Sequence, residues 1–167
     1  MALTRTRYSV LIEEAAAAAL VPLDPKLIES VVLKESSGRT DAYRFEPAYW
    51  KRYLAPKPEY RGANPHRVSA SYGLMQVMYP TAVGRGFVGQ PEELFIPETG
   101  LHWGCVELAR LLQWARAYPG VDKDRALLSA LAAYNGGIGG NAPIYPDGPR
   151  PLRNEPYAKS VMELYRA

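Results

Sequence analysis

Five stretches of the chain repeat apolar residues every three or four positions, and each predicts an amphipathic helix. The first covers roughly residues 7–20. A second starts with Asp24 as N-cap and Pro25 in its first turn, and ends near Gly38. The strongest pattern, over about residues 97–117, places Leu101, Cys105, Leu108, Leu112 and Ala115 on one face, and Pro119-Gly120 ends it. A fourth helix runs from Asp124 as cap through Leu127, Leu128 and Leu131 to Tyr134, where Gly136-Gly137 stops it. The last, over about residues 154–166, has Asn154 as candidate cap and Tyr157, Val161, Leu164 and Tyr165 on one side. Between the second and third helices the pattern fails. Residues 40–71 are rich in Pro, Tyr and Arg and read as a long loop with one helical turn near residues 47–53, the kind of segment that serves as a binding loop or lid. Residues 72–79 are apolar and too short to assign to helix or strand, and Pro80, Gly84, Gly86 and Gly89 punctuate a further turn region. The expectation is a mainly α single domain over residues 1–167 with little or no β structure and no internal repeat.

One residue breaks the logic of the second helix. At about 100° per residue, Glu35 falls in the middle of the stripe made by Leu27, Ile28, Val31 and Val32, while Lys26, Glu29, Ser30 and Lys34 fill the solvated remainder. Burial beside apolar groups disfavours the ionised carboxylate and raises its pKa. At a pKa of about 4.3 roughly one glutamate in five hundred is protonated at pH 7, whereas a pKa near 6 leaves about a tenth protonated, enough for general acid work. The alternatives are a Glu35 frayed toward solvent in the last turn, or paired with a nearby Arg.

Composition narrows the class of protein. With 167 residues, 47% hydrophobic and 22% charged, the chain suits one globular domain with a sizeable core. A net charge of +3 and a pI near 9.0 suit an anionic polymer but are too weak to argue for nucleic acid. Cys105 is the only cysteine, so no intrachain disulfide or cysteine-based metal cluster can form, and its helical apolar context marks it as a buried small hydrophobe. His66 and His102 are too few to suggest zinc; neither a metal nor a cofactor is expected. At the N-terminus Arg5 and Arg7 precede Val10-Leu11-Ile12 and an apolar run over residues 15–21, but Glu13 and Glu14 interrupt what would be a secretory core. No signal peptide and no integral membrane segment is expected, since no stretch approaches the roughly 20 apolar residues a span requires.

Gly136-Gly137-Ile138-Gly139-Gly140 follows a helix, lacks a Lys-Ser/Thr ending and runs into Asn141-Ala142-Pro143, so it reads as a tight helix exit and not as a phosphate loop. Twelve tyrosines and three tryptophans are a heavier signal, because planar rings with a polar edge pack well on sugar faces. Most belong to the core. Tyr72, Tyr134 and Tyr157 stand out because each adjoins a motif.

Those motifs are Glu35-Ser36-Ser37-Gly38, Gly73-Leu74-Met75-Gln76-Val77 and Ala133-Tyr134-Asn135-Gly136-Gly137. In order and approximate spacing they resemble the motifs of soluble-lytic-transglycosylase-type (SLT) domains of the lysozyme-like superfamily, over roughly residues 23–166. Tyr157-Ala158-Lys159-Ser160-Val161 extends the match. The resemblance implies a lysozyme-like, goose-type or SLT-type helical domain whose partner is the glycan strand of peptidoglycan. It implies cleavage of the β-1,4 bond between N-acetylmuramic acid and N-acetylglucosamine. The glutamate matching Glu35 protonates the glycosidic oxygen and then, as carboxylate, takes the proton of the muramic acid 6-hydroxyl, giving a 1,6-anhydro end. The substrate's acetamido group stabilises the cationic centre, so no second carboxylate is required. By position the substrate-binding set is Ser36, Met75, Gln76, Tyr134, Asn135 and Tyr157, with Gln76 and Met75 facing acetamido groups and Tyr157 bonding near the carboxyl. Ser36 either helps seat the glutamate or is a plain helix C-terminal hydroxyl.

Departures from the family pattern touch subsites more than chemistry. The loop between the first two motifs is long, no Glu-Thr stands four and three residues before Tyr157, and Ser69-Ala70-Ser71-Tyr72 replaces the usual small-residue lead-in. Two other functions compete. A hydrolytic muramidase of lysozyme or endolysin type wants a second carboxylate to position water, with Asp41 and Glu46 as candidates. An inactive peptidoglycan-binding module would keep the fold without turnover. The expected setting is a monomer made in the cytoplasm and acting on the cell wall, as a bacteriolytic phage protein, a virion component or the cargo of a delivery apparatus.

Overall fold

The computed structural model describes residues 7–167, so Arg5 of the N-terminal sequence lies outside the described residues. In chain order the elements are α1 (Ser9–Ala18), α2 (Pro25–Ser36), β1 (Tyr43–Phe45), a short α3 (Pro47–Tyr49) continued by a π-helical turn (Trp50–Leu54), a 3-10 turn (Pro58–Tyr60), α4 (Pro65–Val68), β2 (Ala70–Tyr72), β3 (Val77–Met78), α5 (Tyr79–Gly84), a second 3-10 turn (Pro91–Phe95), α6 (Pro97–Arg116), α7 (Lys123–Gly136) and α8 (Glu155–Arg166). The chain is mainly α, and the five long helices among the described residues are the five that the periodicity predicts.

Local chemistry sets the helix ends. The Asp24 carboxylate accepts the Lys26 N–H at 2.9 Å, and α2 closes where Ser37 turns left-handed at φ 53° and donates its N–H to the Leu33 carbonyl. The cap of α7 is Asp122, which accepts the Arg125 N–H at 2.7 Å, and not Asp124 as the pattern suggested; Asp124 lies inside the first turn. Asn154 occupies the N-cap position of α8 without capping it, because its amide is engaged by Asn135 and Asn141.

The predicted face of α6 is buried throughout at Leu101, Cys105, Leu108, Leu112 and Ala115, and packs against α7 and α1. Burial pushes the Cys105 thiol up to about 12, so it sits in the core as a protonated small hydrophobe. The sequence pattern misjudges one side of α2. Glu29 and Ser30, assigned to a solvated face, are fully buried because α1 covers one flank of the helix and α8 another. Among the described residues no helix is long and apolar enough to cross a membrane.

Residues 40–71 are more ordered than a long loop. They contribute β1, the α3 and π turns, α4 and most of β2, and with β3 they form a three-stranded antiparallel sheet in the order β1-β2-β3. Tyr43 pairs with Tyr72, Phe45 with Ala70, and Ser71 with Met78. The short apolar stretch over residues 72–79 resolves into a hairpin whose turn is Gly73-Leu74-Met75-Gln76. Gly73 takes φ 74°, and a Cβ there would lie 2.6 Å from the Leu94 carbonyl oxygen, so only glycine fits. Replacing it should strain the turn twice, through φ and through contact with backbone that cannot swing away. Gly73→Ala is expected to lower stability by about 2 kcal/mol or more, read as a reduced thermal midpoint; an unchanged midpoint would show that the turn tolerates a side chain.

Candidate active site

A cleft of about 750 Å³ opens between the small sheet and the helices. From α2 it receives Lys34 and Glu35, from β1 and the residue after it Arg44 and Glu46, and from the α3 and π turns Tyr49 and Tyr53. The hairpin contributes Ser71, Gln76, Val77 and Met78, α5 Thr81, α6 Glu107, the end of α7 Tyr134, Asn135 and Gly136, and α8 Tyr157.

Glu35 sits half-buried in the last turn of α2, neither frayed to solvent nor deep in the core. The Tyr157 hydroxyl donates to its Oε1 at 2.6 Å, across 122 residues of chain. Burial raises the Glu35 pKa; the Tyr157 hydrogen bond and the positive charges of Lys34 and Arg44 pull it back in part, and the net direction is upward. Tyr157 itself is pushed up by burial, then by the neighbouring carboxylate and their shared hydrogen bond, so it remains a donor.

The motif residues divide into those that face the cleft and those that build it. Ser36 is buried: its hydroxyl donates to the Leu74 carbonyl at 2.8 Å and to Val32 at 3.1 Å, and accepts the Gly38 N–H at 3.2 Å. It ties the end of α2 to the hairpin turn. Met75, expected to face the cleft beside Gln76, does not line it. Its side chain is fully buried on α6, where a Cβ on Gly104 would lie 2.4 Å from its sulfur, and its carbonyl accepts the Tyr134 hydroxyl at 2.7 Å. Burial raises the Tyr134 hydroxyl well above its ordinary value, with the Glu35 charge adding to it. Gln76 does line the cleft, on a backbone at φ 48°, with its amide nitrogen donating to the carbonyls of Ala42 at 3.0 Å and Gly73 at 3.2 Å. A non-glycine residue held left-handed is strained, and such strain persists only where its surroundings enforce it. Asn135 is exposed on the cleft edge, its carbonyl oxygen accepting from Asn154 at 2.9 Å; Asn154 in turn accepts from the buried Asn141 at 2.9 Å. A Cβ on Gly136 would fall 2.0 Å from the Asn154 amide oxygen, which accounts for a glycine at the helix exit.

Tyr72, singled out as a sugar-facing candidate, is instead core: it is 2% exposed and its hydroxyl donates to the Arg67 carbonyl at 2.5 Å. Of the two candidate second carboxylates, Asp41 is exposed and does not line the cleft, whereas Glu46 does, with Arg44 Nε 3.1 Å from its Oε1. Four cleft residues carry no signal in the sequence pattern. Tyr49 and Tyr53 lie four apart in a segment without sustained period, Arg44 sits in a three-residue strand, and Glu107 is one acidic residue on a helix otherwise read for its apolar face. Glu107 is gripped by Arg85 at 2.6 Å and Arg110 at 2.9 Å. Among the described residues no cluster of three or more His, Cys, Asp or Glu side chains is placed to hold a metal ion.

A sequence profile for the transglycosylase SLT domain matches residues 12–143, most of the chain. The chain belongs to the transglycosylase SLT domain family. Comparison with curated proteins gives no significant match for this SLT domain. Among solved structures it is similar to the lytic transglycosylase Slt of Pseudomonas aeruginosa, in the form of an inactive Glu-to-Gln mutant, with a TM-score of 0.59 and 18% identity over 94% of this chain. The SLT domain spans 22% of that protein's length, and the likeness establishes the lysozyme-like fold.

A carboxyl whose pKa the fold raises makes stability depend on pH in a definite direction. The folded state favours protonated Glu35, so that contribution is complete below the ordinary value of 4.5 and is lost as pH rises through the raised value. Gln cannot ionise. Glu35→Gln is therefore expected to gain stability over the unsubstituted SLT domain between acid and neutral pH, measured by urea unfolding; a difference that stays constant or shrinks toward neutrality would show that the fold does not disfavour the charge.

Proposed function

We propose that this SLT domain is a peptidoglycan lytic transglycosylase in which Glu35 acts first as acid and then as base. The observation that carries the reading is a half-buried carboxyl with a raised pKa, facing a cleft of about 750 Å³ and steadied by one phenol hydroxyl. Protonated Glu35 gives its proton to the glycosidic oxygen between N-acetylmuramic acid and N-acetylglucosamine as the bond breaks. The resulting carboxylate then accepts the proton of the muramic acid 6-hydroxyl as that oxygen closes on the anomeric carbon. One group performs both transfers, and the proton count is restored for the next cycle.

Several features support a glycan strand as the occupant. Tyr49 and Tyr53 are paired with ring centroids 4.8 Å apart on the cleft wall, and Tyr53 is 46% exposed, a platform suited to a sugar face. Gln76 and Asn135 supply amides for acetamido and hydroxyl groups, while the exposed Lys34 beside Glu35 adds a positive charge that suits an anionic polymer. That the similar Slt protein is inactive as a Glu-to-Gln mutant supports a single indispensable glutamate. The domain acts as a monomer on the cell wall, reached through phage lysis, a virion or a delivery apparatus.

The hydrolytic reading has one observation in its favour, the presence of Glu46 in the cleft. Purified sacculi separate the two by product mass: 1,6-anhydro ends are expected, and reducing ends alone would sink the transglycosylase. Glu35→Gln should lower turnover by at least about a hundredfold while folding and glycan binding persist; digestion at the original rate would leave a binding module or another acid. Tyr53→Ala is expected to raise KM by about three- to tenfold with little change in kcat, and Tyr53→Phe to restore it. A kcat loss in Tyr53→Ala without a KM change would remove the ring from the binding surface.

A further inference from the structure

Among the described residues three carboxylates line the cleft, and they are treated differently. Glu35 receives the Tyr157 hydroxyl at 2.6 Å. Glu107 lies between two guanidinium groups, Arg85 at 2.6 Å and Arg110 at 2.9 Å, with its side chain 13% exposed. Glu46 is held through Oε1 by Arg44 Nε at 3.1 Å.

The Arg44–Glu46 pair follows from strand geometry. Residues two apart on an extended chain project to the same side, so Arg44 in β1 and Glu46 just after it share the cleft side while Tyr43 and Phe45 turn the other way. Tyr43 packs edge-on against Tyr72 and donates its hydroxyl to the His66 carbonyl, and Phe45 packs on the His66 ring with centroids 4.0 Å apart. Opposite Arg44 in register is Ser71, itself a cleft residue. The guanidinium also lies close enough to Glu35 to act on its charge. Arg44 thus acts on two of the three cleft carboxylates, on Glu35 through its charge and on Glu46 through the ion pair, while Glu107 is held by its own two arginines.

We propose that Arg44 is a positioning residue that decides the acceptor: by occupying Glu46, it withholds that carboxylate from activating water and leaves the substrate's own 6-hydroxyl as the nucleophile. The inference rests on the transglycosylase reading of the same cleft. In the reaction it suppresses, Glu35 protonates the departing glycosidic oxygen and a water oxygen bonds to the anomeric carbon. Glu46 takes the water's proton, and solvent later deprotonates Glu46 and reprotonates Glu35, so atoms and charge balance to hydrolysis. The Arg44 side chain is 74% exposed, and pairs so exposed bias a side chain only severalfold. The expected effect of breaking the pair is therefore a change in product ratio and not a complete switch.

Digestion of purified sacculi by the full chain, with reducing and 1,6-anhydro ends separated by mass, tests this. The unsubstituted protein should release mainly anhydro ends. Arg44→Gln should raise the reducing-end share about two- to fivefold, and Arg44→Gln combined with Glu46→Gln should return it to the starting share. A product ratio measures acceptor choice and does not move with the amount of folded enzyme. Anhydro ends from the unsubstituted protein with no rise in Arg44→Gln, or a rise that survives removal of Glu46, would overturn the inference alone. Mainly reducing ends with Arg44 intact would overturn it together with the transglycosylase reading.

Discussion

The docking of α8 onto α2 is the contact on which the cleft depends, because it keeps a carboxyl group half out of water at the end of a helix. Without α8 the end of α2 would keep only its tie to the hairpin through Ser36, and Glu35 would lose the Tyr157 hydroxyl and one of the surfaces packed on its helix. With it, burial works against the charge while one hydroxyl, from Tyr157, holds Oε1 at 2.6 Å. The balance matters. Full burial without a partner would cost far more than a domain of this size can spare, and full exposure would leave almost no protonated acid near neutral pH. In the intermediate position Tyr157, Lys34 and Arg44 each offset part of the desolvation, and the Glu35 pKa stays above its ordinary value.

The three sequence motifs belong together because each is hydrogen-bonded to the next. Ser36, beside the acid, donates to the Leu74 carbonyl in the hairpin turn, and Tyr134, in the third motif, donates to the Met75 carbonyl one residue further along. The turn is thus pinned on both sides by side-chain hydroxyls acting on its backbone. Gly73 makes the turn possible at φ 74°, and Gln76 is held at φ 48° with its amide anchored to Ala42 and Gly73. From the far end of α7, Asn135 joins Asn154 and Asn141 and so fixes the entry to α8, which carries Tyr157 back to Glu35. The site is a closed circuit of four segments, not a set of side chains hung on independent supports.

The helices were legible in the sequence because their apolar period is sustained, and Glu35 was legible because it violated that period. The sheet was not, since strands of two or three residues are too short to show alternation and are defined by pairing with distant chain. The same limit hid Arg44 and the tyrosine wall of the π turn. Met75 and Ser36 show a different failure: their motif places them at the site, but what they contribute is a backbone acceptor and a buried tie, which pattern cannot distinguish from contact with substrate. Glu29 and Ser30 were misread because helical periodicity reports one buried face, and α2 has neighbours on two.

Direct titration of the Glu35 carboxyl by carbon NMR, in the unsubstituted chain and in Tyr157→Phe, bears most closely on the tuned acid. A midpoint above the ordinary glutamate value of 4.5 is expected, rising further when the phenol that favours the carboxylate is removed. A Glu35 that titrates at its ordinary value in both proteins would contradict the claim that its place in the fold disfavours the charged carboxylate.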